Sequence, residues 1–93
     1  MPQSVRAHLI ITGVVQGVYY RATARQEART LGITGWVKNR TDGAVEAVIE
    51  GDRVRVLKFI DWFRQGPPAA QVRDVQVEWG DFRGEYQDFS IVS

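Results

Sequence analysis

A chain of 93 residues, 44% of them hydrophobic, fits one domain with one core and leaves no second module. Its 12 lysines and arginines nearly balance 11 aspartates and glutamates, which argues against a dedicated nucleic-acid binder. With no cysteine and a single histidine, His8, the chain has no disulfides, no thiolate chemistry and no ready set of metal ligands.

Taken in order, the first element is a strand over residues 5–14, where Val5, Ala7, Leu9 and Ile11 alternate with Arg6, His8, Ile10 and Thr12. His8 falls on the less buried face and reads as a surface residue. A loop rich in glycine follows. Tyr20, Ala24, Ala28 and Leu31 then recur at helical spacing, and Gly32 suits a left-handed cap. The run "ITGWVKNRTDGAVEAVIEG" breaks at Thr41-Asp42-Gly43 into two strands of a hairpin, with Ile33, Val37 and Asn39 on one face of the first. Asp52 is placed as the N-cap of a second helix, whose stripe is Val56, Phe59, Ile60 and Phe63 and whose end is Gly66-Pro67. "QVRDVQVEW" is a further strand with Val75, Val77 and Trp79 on one side, and "DFSIV" a short final edge strand. The order predicts an α+β, ferredoxin-like βαββαβ sandwich, a mostly antiparallel sheet with both helices on one face. No apolar run approaches the roughly 20 residues that cross a bilayer. No signal-peptide pattern opens the chain either, so a cytoplasmic, monomeric domain over 1–93 is expected.

The stretch "GVVQGVYYR" asks for a purpose. Its glycines let backbone approach a ligand closely, and the start of the following helix leaves N–H groups unpaired. Together with the helix dipole, those groups attract an anion. Arg21 strengthens the reading. A cation in the first helical turn is unfavourable by about 0.3–1 kcal/mol unless an anion binds there, and its fork suits phosphate oxygens. The pattern is neither a nucleotide P-loop nor a dinucleotide fingerprint. A loop bent only for packing would explain the same residues, and spacing alone leaves that alternative open.

"GVVQGVYYR" followed by "GWVKNRTDGAVEAVIEG" resembles the paired signatures of the acylphosphatase family, and "GPPAAQV" and the closing strand fall where that family has them. The resemblance covers nearly the whole chain. It implies a hydrolase that splits carboxyl-phosphate anhydrides into a carboxylate and inorganic phosphate without a metal or cofactor. By the same resemblance, Arg21 grips the phosphoryl group and Asn39 positions the attacking water. The loop residues Val15, Gln16, Gly17, Val18, Tyr19 and Tyr20 supply backbone N–H donors. Phosphate is then expected to inhibit competitively. At Tyr20 the family usually has phenylalanine or methionine, so this chain adds a hydroxyl that needs a partner. Gln16 is expected to shape the loop, and Tyr19 and Tyr20 to pack around the helix start.

The residue types suit that chemistry. A carboxylate leaves without protonation because its acid has a pKa near about 4. An arginine, an amide side chain and backbone donors therefore suffice where a phosphomonoester would need a metal or a general acid. Two other readings compete. One is a single-stranded RNA module using Trp36, Lys38 and Arg40, on the strand face opposite Asn39. The other is the related domain of a larger carbamoyl-transferring enzyme, which normally continues into cysteine-rich zinc modules that this chain lacks.

Overall fold

Alternation draws Ser4–Val14 into the strand β1, with Val5, Ala7, Leu9 and Ile11 buried on one face. The computed structural model describes residues 3–93. After β1 come α1 (Tyr20–Leu31), β2 (Thr34–Asn39), β3 (Val45–Asp52), α2 (Arg53–Gln65), β4 (Gln71–Gly80) and β5 (Phe89–Ile91). The sheet order is β4-β1-β3-β2-β5. Every pairing is antiparallel except that of β2 with β5, which is parallel. α1 lies over β2 and β5, and α2 over β1, β3 and β4, with the helices touching each other. This is the ferredoxin-like α+β fold.

Both helices present the apolar stripes their spacing predicts, Tyr20, Ala24 and Ala28 from α1 and Val56, Phe59, Ile60 and Phe63 from α2. These meet Leu9, Ile11, Val37, Val45, Ala47 and Ile49 of the sheet. Phe59 and Phe63 stack at 4.4 Å between centroids, and Phe59 meets Phe89 at 5.6 Å, which ties β5 into the core. Each such ring contributes about 1.5–3 kcal/mol by leaving water. No helix among the described residues is long and apolar enough to cross a membrane.

Two details differ from expectation. Asp52 takes the N-cap position of α2, but its carboxylate makes no capping hydrogen bond. Asp52 is still paired with Ser4 in the sheet, and the Arg53 N–H donates to the Gln3 carbonyl at 2.9 Å. Trp79 faces the helix side but stays half exposed, with the Arg53 guanidinium 5.6 Å from its ring centroid.

The irregular segment 81–88 is held against the other face of the sheet by Glu50. This buried carboxylate accepts hydrogen bonds from the Arg83 N–H at 2.8 Å, the Gly84 N–H at 3.1 Å and Arg6 Nη1 at 3.2 Å. Trp36 Nε1 donates to the Tyr86 hydroxyl at 3.2 Å. Glu46 gathers His8, Lys38 and Arg40 at 2.6, 3.8 and 3.9 Å, so Lys38 and Arg40 share one largely buried carboxylate.

Candidate active site

Just before the loop between β1 and α1, the register of β1 against β4 shifts at Thr12/Gly13. A Cβ at Gly13 would lie 2.1 Å from the Gln71 carbonyl oxygen, so the close approach of β1 to β4 requires glycine there. Beyond this shift Val15 is buried and anchors the loop. Gln16 then fastens the loop to the β2–β3 hairpin, its side-chain nitrogen donating to the carbonyls of Arg40 at 2.8 Å and Ala44 at 2.9 Å. Its expected role in shaping the loop has this geometry.

Gly17 follows at φ +75°, where only glycine is unstrained. Tyr19, at φ 62°, is the one non-glycine residue with positive φ among the described residues. A tyrosine there is strained by about 1–2 kcal/mol. Left-handed residues this close together bend a chain into the concave arrangement that gathers N–H groups around an anion. Among the described residues, the backbone N–H groups from Gly17 to Ala22 find no acceptor. The first one that does is Thr23, which donates to the Tyr19 carbonyl at 3.1 Å.

Tyr20 turns inward. Its ring lies 5.3 Å from Trp62 and 6.0 Å from Phe63, and its hydroxyl donates to the Phe63 carbonyl at 2.6 Å. That carbonyl lies in the last turn of α2, where helix carbonyls lack an intrahelical donor. Burial pushes the Tyr20 phenol well above its usual pKa. The expectation that Tyr19 also packs around the helix start is corrected: its side chain is 83% exposed. The left-handed backbone turns one tyrosine out and leaves the next to face the core.

Arg21 is the second residue of α1 and has no carboxylate partner among the described residues, and the first turn of α1 contains no acidic residue. Asn39 ends β2, and its Oδ1 is buried without a hydrogen-bond partner. Asp42, the nearest acid in sequence, is engaged by the turn. It accepts from the Ala44 N–H at 3.0 Å and from Arg40 Nε at 3.1 Å, and those two contacts, in that order, hold its carboxyl below the usual range. No cluster of three or more His, Cys, Asp or Glu forms among the described residues.

Arg21, Asn39, Val15, Gly17, Tyr19 and Tyr20 line one cavity of about 390 Å³. Two predicted loop residues do not line it. Gln16 directs its side chain to the hairpin, and Val18 packs against the core. Conversely, Ala22 and Ile91 line the cavity without having been foreseen. Ala22 was available from its place beside Arg21. Ile91 was not, because it arrives through the parallel pairing of β5 with β2, opposite Val37.

Residues 7–91 match the family model for acylphosphatase. An acylphosphatase of Pelotomaculum thermopropionicum is 57% identical over 86 residues, covering 92% of this chain and 94% of that protein. The crystal structure of an acylphosphatase from Bacillus subtilis superposes with a TM-score of 0.92 at 35% identity, covering 96% of this chain and 99% of that one. An acylphosphatase from Coxiella burnetii gives 0.91 at 37% identity, with coverage of 96% and 93%. With its fold and nearly its full length matched, the chain belongs to the acylphosphatase family and is a hydrolase of acyl phosphates.

Proposed function

We propose that hydrolysis proceeds without a metal ion, with Arg21 and the loop amides holding the phosphoryl group and Asn39 orienting the attacking water. The observation that carries this is the orphaned Asn39 Oδ1, buried in a residue that lines the same cavity as Arg21. An unsatisfied buried acceptor costs about 1–3 kcal/mol, and a small side-chain rotation turning Oδ1 to the cavity would let a water donate to it and remove that penalty. The same hydrogen bond would fix the water with its lone pair free to attack phosphorus.

In the proposed step the water oxygen bonds to phosphorus as the bond from phosphorus to the acyl oxygen breaks. The bonding pair leaves with the carboxylate, which needs no proton at neutral pH. The water's proton passes to a phosphate oxygen of the substrate or to solvent, so no protein base is required. Charge on the equatorial oxygens is met by the Arg21 fork and by the N–H groups between Gly17 and Ala22. Catalysis then rests on positioning and charge stabilisation.

Purified protein assayed in excess chelator should hydrolyse acetyl phosphate and benzoyl phosphate. It should be at least about a hundredfold poorer on alkyl or aryl phosphomonoesters, the scale of help a general acid supplies. Inorganic phosphate should compete with substrate. Activity abolished by chelator and restored by a divalent cation would overturn the metal-free mechanism.

A further inference from the structure

We propose that Tyr19 is the acyl-side wall of this site and biases it towards acyl phosphates whose acyl group is aromatic or broadly apolar. The proposal rests on the hydrolytic reading above and assigns the half of the substrate that reading leaves open. Phosphoryl recognition accounts for Arg21, Asn39 and the loop amides. The rest of the cavity lining is apolar, from Val15, Ala22, Ile91 and the two tyrosines.

Tyr19 is the unusual member of that set. Its backbone is left-handed, its side chain is 83% exposed, and it takes part in no side-chain hydrogen bond or aromatic pair among the described residues. Glycine would hold this backbone conformation without strain. The strained tyrosine gains nothing visible inside the molecule in return, so the geometry points outward, to a contact made with substrate. Tyr20 already fills the inward position, so core packing does not explain its neighbour. A flat acyl group attached to a phosphate held by Arg21 would find an aromatic face at the rim, where stacking and loss of apolar surface favour it over acetyl.

The test compares benzoyl phosphate with acetyl phosphate in wild type, Tyr19→Phe, Tyr19→Ala and Tyr19→Gly. Glycine relieves the left-handed backbone, so at least one truncation should fold as well as wild type. The ratio of kcat/KM, benzoyl over acetyl, should fall roughly tenfold in the glycine and alanine variants, equivalent to about 1.4 kcal/mol. The fall should lie mainly in KM, and Tyr19→Phe should retain the wild-type ratio. Calorimetric binding of benzoylphosphonate and acetylphosphonate, which cannot be hydrolysed, gives the same ratio independently of turnover. Should wild type hydrolyse neither phosphate while the binding ratio still depends on Tyr19, the mechanism fails and this proposal stands. An unchanged ratio, or an equal loss for both acyl groups, overturns the proposal even in a fully active enzyme.

Discussion

At Arg21 a guanidinium occupies the second position of α1, where the helix dipole opposes it and no carboxylate among the described residues offsets it. At Asn39 an amide oxygen is buried with no donor among the described residues. Each is unfavourable for the protein alone and favourable once a phosphoryl group and a water are bound, so their substitutions should separate function from stability. Arg21→Ala should lose both phosphate binding and turnover, and Arg21→Lys should restore little, because a point charge cannot reproduce the two-pronged contact. Its folding stability should match or exceed wild type by about 0.3–1 kcal/mol. Asn39→Ala should keep phosphate affinity, lower kcat by roughly a hundredfold and leave the melting temperature unchanged or raised. Steady-state kinetics, phosphate titration and thermal melts check the set. Wild-type kcat in Asn39→Ala would leave the water without its proposed anchor.

Between elements, the bond from the Tyr20 hydroxyl to the Phe63 carbonyl joins the start of α1 to the last turn of α2. Tyr20→Phe should cost about 1–2 kcal/mol at neutral pH by leaving that helix-end carbonyl unpaired. Folding raises the Tyr20 pKa, so its stabilising contribution is complete below the ordinary tyrosine range near about 10 and is lost as pH rises beyond it. The stability gap between wild type and Tyr20→Phe should therefore narrow above about pH 10, as denaturant melts across that range would reveal. A gap that stayed constant would detach it from this hydroxyl. The same level of organisation explains what could be read in advance. Periodicities such as Val5-Ala7-Leu9-Ile11 and Val56-Phe59-Ile60-Phe63 are local and state their own burial. Thr41-Asp42-Gly43 likewise carries its turn within a few residues. Glu50 looks from sequence like one polar position in a strand, and only the return of segment 81–88 makes it a buried hub. Arg21 and Asn39 were legible through the paired motifs. Ile91 and the outward turn of Tyr19 depended on strand pairing and on a backbone angle, which spacing does not encode.

Across the whole molecule the site draws on α1 for Arg21, β2 for Asn39 and β5 for Ile91, so it is assembled only when the sheet and helices are in place. Anion binding and folding should then be linked. Phosphate at a hundred times its dissociation constant should add about 2.7 kcal/mol. A domain of this size gains roughly 4–8 °C in melting temperature per kcal/mol. Arg21→Ala should abolish the shift, and an unmoved wild-type melt at saturating phosphate would remove the loop as the anion site. The proposed donors from Gly17 to Ala22 belong to the main chain, and that has an effect beyond binding. A substitution by any residue but proline replaces a side chain and keeps the amide N–H, so positions along this loop should tolerate variation wherever the backbone angles survive. The acyl preference proposed for the exposed side chain at position 19 should consequently be alterable by substitution there while the main-chain donors stay in place.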